Sequence, residues 1–373
     1  MTKAGMDRMS ILDKPLSIGQ QRRRRRWPFF LLLPLLLLLI GLLVIGPGTD
    51  SAFLQHFFAA PKHFTYSGHH DYISSLAWSP AGQRIASASG DGTVQVWDAN
   101  DGSHVLVYRG HHTDVSALAW SPDGRYLASG DVSGSVQIWN SLNGQRLFTY
   151  QGHTSAIFSL SWSPDSQDIA SASSDGSLQA WQALTGKLLF EVQNPAPLHS
   201  NLGSRQPWNA VAWSPNGQYI AGGSYGNAQI FDAHTGKLFS GAYGDNSGMI
   251  HALAWSPDSR FLATAQTSGD VLIWNVASGQ LVFTHSGSPT DVYSVAWSPD
   301  GRRIASGGND ALVSVWDALS GQHPFVYRGH ADIYPGHFTV NAAVYAIAWS
   351  PDSRSLASGG SDTTVQVWQP ITT

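Results

Sequence analysis

The tripeptide Trp-Ser-Pro recurs seven times, with its tryptophan at 78, 120, 162, 213, 255, 297 and 349. The steps are 42, 42, 51, 42, 42 and 52 residues. A second aromatic follows each mark: Trp97, Trp139, Trp181, Phe231, Trp274, Trp316 and Trp368. The offset is 19 residues in every copy but the fourth, where it is 18. A fixed period near 42 means one supersecondary unit copied seven times, each copy burying its apolar face against its neighbours. The two or three domains that 373 residues would otherwise suggest do not apply to such an array.

Each copy reads as four strands. In 104–150 they fall at 104–109, 115–120, 125–130 and 135–139. Ser121-Pro122-Asp123-Gly124 makes a turn, because proline presets φ and glycine accepts positive φ. Asn143-Gly144 turns the chain into the next outer strand. Composition agrees. Glu191 is the sole glutamate, and there are five lysines. The residues that coat exposed helices are therefore nearly absent, while Gly and aromatics are plentiful. The 15 Trp, 12 Tyr and 15 Phe supply ample apolar surface to bury, which argues against disorder. With no cysteine there is no disulfide scaffold, thiolate zinc site or cysteine nucleophile.

Charge is unevenly spread. Residues 1–26 carry eight Lys/Arg against Asp7 and Asp13, whereas the rest of the chain carries 13 basic and 23 acidic groups, a net of −10. A body that acidic is a poor nucleic-acid partner. Residues 27–45 form 19 consecutive uncharged, mostly apolar residues, close to the roughly 20 that span a bilayer as a helix. Arg22 to Arg26 lie directly before them, which orients the N-terminus to the cytoplasm and the C-terminal body across the membrane. A cleaved signal peptide is the rival reading; the long apolar stretch and poor cleavage pattern weigh against it. The expected organisation is a basic cytoplasmic tail (1–26), a transmembrane helix (27–45), a linker (46–61) and the repeat body (62–373). In the linker, Phe53, Leu54, Phe57 and Phe58 suit either one face of a short surface helix or an irregular tether.

Residues 62–373 resemble the WD-repeat β-propeller family. The marks that carry the resemblance are Gly-His at 68–69, 110–111, 152–153 and 329–330, and Trp-Asp at 97–98 and 316–317, with Trp-Asn or Trp-Gln at 139–140, 274–275, 181–182 and 368–369. The repeat style (AWSPDGR, LASGG, VQVWD) is similar to bacterial members. The resemblance implies an all-β, seven-bladed propeller of four-stranded antiparallel blades. It also implies His–Ser–Asp–Trp tetrads at His69, Ser87, Asp91 and Trp97, at His153, Ser171, Asp175 and Trp181, and at His330, Ser358, Asp362 and Trp368. The second repeat matches His111, Ser129 and Trp139, but Ser133 stands at the aspartate position. In the sixth, Ser288 replaces the histidine, while Ser306, Asp310 and Trp316 remain. The fourth and fifth have neither His nor Asp, so those blades are expected to be less tightly held. Residues 62–67 match the outer strand preceding Gly152-His153 and are expected to complete the last blade, leaving no long open edge.

Most chemical motifs dissolve into this frame. Four of the 15 histidines stand in Gly-His marks, and adjacent pairs such as His69-His70 point to opposite faces, so no metal site is expected. Gly222-Gly223-Ser224-Tyr225-Gly226 mimics a nucleophile elbow but falls at a strand-to-strand turn, not a strand–turn–helix. No P-loop, dinucleotide fingerprint or paired carboxylates appear. The chain is read as non-catalytic, without metal or cofactor.

The resemblance places binding on one rim of the ring, at positions six and four residues before each first tryptophan. These include Tyr72, Asp114, Phe158, Met249, His251, Asp291, Tyr293 and Tyr345. Exposed Tyr, Phe and Met are typical interface residues; packing against neighbouring loops is the competing reading. Two insertions, about 193–207 and 331–342, lie on the same rim, with Trp208 ending the first and Tyr334 and His337 in the second. The expected function is a membrane-anchored platform for protein or peptide partners, exposed outside the cytoplasm. The alternative is a propeller that binds a small molecule, glycan or cell-wall component at the channel mouth.

Overall fold

A computed structural model describes residues 64–194, 205–244, 248–330 and 342–370. The segment 27–45, the linker, most of both insertions, Tyr334 and His337 lie outside the described residues. Among those described, no helix is long and apolar enough to cross a membrane.

The described residues form 28 strands in seven four-stranded antiparallel sheets. Strand β1 (Phe64–Tyr66) comes first, and blade 1 follows as β2 (Ile73–Trp78), β3 (Arg84–Ser89), β4 (Val94–Asp98) and β5 (Leu106–Tyr108), from inner to outer. Blades 2 to 6 span 115–150, 157–193, 210–243, 250–286 and 292–327. The inner strand of each blade touches that of the next, and the last touches β2, so the ring closes. Blade 7 spans 344–368 and is completed by β1, which pairs Phe64 with Val367, Thr65 with Gln366 and Tyr66 with Val365. The sequence-derived closure therefore holds for the described part of 62–67, and the strands expected in 104–150 fall within two residues of those observed.

Among the described residues the core is divided into seven clusters. Each apolar cluster joins two neighbouring blades: Val94 and Val96 of blade 1, for instance, pack with Val115, Leu127 and Trp139 of blade 2. This follows from the alternation of buried side chains on strands that bear both faces against other sheets. On the rim where inner strands end, Gly124 takes φ 76° in its turn, whereas Ser166, Ser259 and Ser353 hold the same position at φ near 60°. Left-handed backbone is costly for a residue with a Cβ. Each of these serines has an offsetting bond: its Oγ accepts the backbone N–H of Asp123, Asn216 or Asp300 in the preceding blade, at 3.0–3.1 Å.

Candidate functional site

The tetrads form as directed relays. A Trp indole can only donate, so its N–H ends on the serine Oγ; the serine hydroxyl then donates to His Nε2, leaving His Nδ1–H for the carboxylate. In blade 3 the distances are 3.1 Å from Trp181 to Ser171, 2.7 Å from Ser171 to His153 and 3.0 Å from His153 to Asp175. Blade 1 repeats this with Trp97, Ser87, His69 and Asp91 (3.4, 2.8 and 2.8 Å). Blade 7 does so with Trp368, Ser358, His330 and Asp362 (3.1, 2.8 and 2.7 Å). Burial pushes His69 below its usual range, favouring the neutral ring the relay needs. Burial alone would raise Asp175, but hydrogen bonds from His153, Ser177 and two backbone N–H groups outweigh it and hold the carboxyl well below the usual range.

Blade 2 corrects the sequence reading. Its relay is complete, because Asp131 supplies the carboxylate two residues before the expected position. His111 Nδ1 lies 2.7 Å from Asp131 Oδ2, and Ser133 donates to Asp131 Oδ1 at 2.6 Å. Trp139 and Ser129 complete it at 3.1 and 2.7 Å. Aspartate and serine have exchanged places across one turn while the carboxylate still reaches the same imidazole.

The sequence reading also missed two partners in every relay. Tyr66, Tyr108, Tyr150 and Tyr327, on outer strands, stack flat on Trp97, Trp139, Trp181 and Trp368 of the following blade, with ring centroids 4.1–4.5 Å apart. Each hydroxyl donates to a glutamine there, Gln95, Gln137, Gln179 or Gln366. The signal was present: Tyr stands three residues before each Gly-His histidine and Gln two before each tryptophan. The glycine of Gly-His now has a reason. A Cβ on Gly110 would lie 2.3 Å from the Tyr108 oxygen and 2.6 Å from Gln137 Oε1.

Blades 4 to 6 solve the same packing problem otherwise. In blade 6, Ser288 bonds Asp310 at 2.9 Å, His285 stacks on Trp316 at 3.8 Å, and no acceptor among the described residues reaches Trp316 Nε1. In blade 5, Trp274 donates to Thr264 at 3.2 Å. In blade 4, Gly222 stands where the relay serine would be, and the Trp208 ring fills the space, edge-on to Phe231 at 5.9 Å.

Trp208 is thus a second correction. It is 0% exposed and cannot meet a partner on the rim. It lies five residues before Trp213, the position held by Ile73, Val115, Ile157, Ile250, Val292 and Val344, all buried. Positions six and four before the tryptophan face the rim, and the one between them must face inward.

Four of the remaining rim residues meet at the ring's centre. Tyr72 lies edge-on to Tyr345 at 6.0 Å, Tyr345 meets Tyr293 at 5.4 Å, and Tyr293 meets His251 at 5.0 Å. The Tyr72 hydroxyl donates to Asp114 at 3.1 Å. Burial, with that bond to Asp114, raises the Tyr72 phenol to about 12. His251 is lowered by burial, with Asp291 opposing the shift. Phe158, on blade 3, stands apart from this run and is 41% exposed. Met249 is half-buried beside the run, bridged to Tyr225, an aromatic 57% exposed that the repeat-position argument had passed over. Ser224 of the elbow-like motif is buried, its hydroxyl directed at the Asn227 carbonyl at 3.5 Å. Among the described residues, no three His, Asp or Glu side chains converge as metal ligands would.

Comparison with known families matches five segments, 61–98, 102–140, 144–182, 279–317 and 326–369, to WD40, the WD domain, G-beta repeat. Together they cover more than half of the chain. A second match, to eukaryotic translation initiation factor eIF2A, runs over 188–295 and takes in blades 4 and 5; the WD40 matches skip all of blade 4 and the three inner strands of blade 5. It is a likeness over less than a third of the chain. No curated protein matches the chain.

Proposed function

The chain belongs to the WD40 repeat family, and from that premise we propose that its propeller is a non-catalytic, membrane-anchored interaction platform, held outside the cytoplasm by residues 27–45. WD40 propellers generally serve as platforms for protein partners. One observation carries the reading for this chain: the continuous aromatic run Tyr72–Tyr345–Tyr293–His251 at the channel mouth. Half-buried aromatic rings on a rigid rim supply contact area at little entropic cost when a partner docks. Strand pairing and the packing between blades hold that rim in place. The relays take up four of the five His–Asp pairs among the described residues, which argues for stability and against acid–base chemistry as their role.

Anchoring rests on the uncharged stretch 27–45 and the arginines before it. Protease added to intact cells should reach the propeller, and neutralising Arg22 to Arg26 should scramble its orientation. Digestion only after lysis would reverse the assignment. For the platform, a full-length Tyr293→Ala/Tyr345→Ala variant should lose the partners recovered from membranes while its melting curve barely moves. Partner recovery unchanged from wild type would end the rim assignment.

A further inference from the structure

We propose that the rim's aromatic run receives a cationic side chain, arginine or lysine, from a basic segment of a protein partner; the inference rests on the platform reading and names the chemistry of its ligand. Three tyrosines in ring-to-ring contact lie between carboxylates. Asp114 accepts from Tyr72, and Asp71 accepts the Tyr72 backbone N–H at 2.7 Å. At the other end Asp291 faces Tyr293 and His251. His251, pushed down by burial, adds an aromatic face without adding positive charge at neutral pH. Tyrosine faces and nearby carboxylates together attract a cation, through the ring quadrupole and through charge.

The topology keeps competing cations away. Arg84, Arg125, Arg260 and Arg303 open or precede second strands, and Lys187 and Lys237 precede outer strands, all at the opposite rim. On the aromatic rim, the basic Arg and Lys among the described residues are Arg109, Arg205 and Arg328. Arg109 and Arg328 follow outer strands, three strand spacings, or about 14 Å, from the channel. Arg205 packs beside Gly176 in the second turn of blade 3. The centre of this rim is therefore negative and aromatic while the opposite rim is mixed. Such a field draws in basic ligands and speeds their encounter at low salt.

The test uses the full-length protein in detergent and a fluorescein-labelled peptide of three arginines spaced by Gly-Ser, with a citrulline version as its neutral counterpart. The arginine peptide should bind, and the citrulline peptide should bind about tenfold more weakly or worse. Tyr345→Ala should cost about tenfold, and Tyr345→Phe, which keeps the ring, should stay within about twofold. Asp114→Asn/Asp291→Asn should also cost about tenfold, and Asp123→Asn/Asp300→Asn on the opposite rim should change nothing. Equal binding of the two peptides, wild-type binding by Tyr345→Ala, or an equal loss from the opposite-rim variant would each overturn the inference. If Tyr293→Ala/Tyr345→Ala abolishes recovery of partners but no arginine peptide binds, the cation assignment falls and the platform stands.

Discussion

Blades 7, 1, 2 and 3 form one continuous arc of the ring, and blades 4, 5 and 6 form the other. The first arc repeats one device four times: a Tyr stacked on the next blade's Trp, and a relay from that Trp through Ser and His to Asp. The second uses three different devices: a buried indole in blade 4, a threonine acceptor in blade 5 and a stacked histidine in blade 6. Both arcs hold the same four-stranded sheets. Blade geometry is therefore set by strand pairing and inter-blade packing, and the relay is one way of filling the wedge between blades. The closure between β1 and the last blade falls inside the relay-bearing arc, where Tyr66 reaches across to Trp97 and Gln95. The seam of the ring is thus locked by the most heavily bonded junctions.

The largest expected effect is in the arc without relays. Trp208→Ala removes a fully buried indole from a wedge that has no hydrogen-bonded relay to hold it. A loss of about 3–5 kcal/mol is expected, read as a fall in melting temperature. A near-neutral result would mean that blade 4 is held by its strands alone. Next comes the relay itself. His153→Ala takes one hydrogen-bond partner from the Ser171 hydroxyl and one from the Asp175 carboxylate, at an expected cost of about 1–3 kcal/mol. His285→Ala removes a stacked ring without a relay and should cost less, about 0.5–1.5 kcal/mol. Equal thermal shifts would erase the distinction between the arcs.

Much of this contrast was legible in the sequence, and what was not has physical reasons. Seven tryptophans in register made the blades, their number and the closing strand readable, because one unit seen seven times averages out local ambiguity. The relays of blades 1, 3 and 7 followed by position. Asp131 does not, because position alone does not fix the carboxylate: a turn lets either of two residues two apart reach the same imidazole. Trp208 was misplaced because it sits beside an insertion that disguises the alternation; its offset of five from Trp213 already marks it as inward. The contacts among Tyr72, Tyr345, Tyr293 and His251 join blades 1, 7, 6 and 5. No spacing within one repeat encodes an encounter between residues so far apart in the chain.

Blade 2 offers a sharper test. If Asp131 is the relay carboxylate, Asp131→Ala should cost about 1–3 kcal/mol and Ser133→Ala, which removes one bond to that carboxylate, about 1 kcal/mol or less. The reverse order would restore the position-based assignment. Acid adds a second axis. Burial would raise the Asp131 carboxyl, but hydrogen bonds from His111, Ser133 and the Ser135 backbone hold it below its usual range. A depressed carboxyl contributes stability that is present above the unfolded value, near 3.9, and is lost as pH falls through the folded one. Asp131→Asn should therefore lose less stability than the parent between about pH 5 and pH 2. Parallel curves in urea melts would show that the carboxyl is not held down in the folded protein.

The smallest effect separates stacking from charge in blade 6. His285 occupies the slot that tyrosine fills in the relay-bearing arc, flat against Trp316. Burial lowers its proton affinity, with Asp270 opposing the shift only in part. A base with a depressed folded pKa is neutral in the native state, while the unfolded chain takes up a proton near pH 6.5. The unfolded state then binds more protons, so stability falls as pH drops below about 6.5 toward the folded value. Phenylalanine keeps the aromatic face and cannot titrate. His285→Phe should match the parent at pH 8 within about 0.5 kcal/mol and become the more stable protein at pH 5.5. Urea melts at the two pH values measure the difference directly. If the variant's advantage is the same at both, or shrinks in acid, His285 is not held neutral against Trp316, and blade 6 would have to be joined to blade 5 by a charged imidazole.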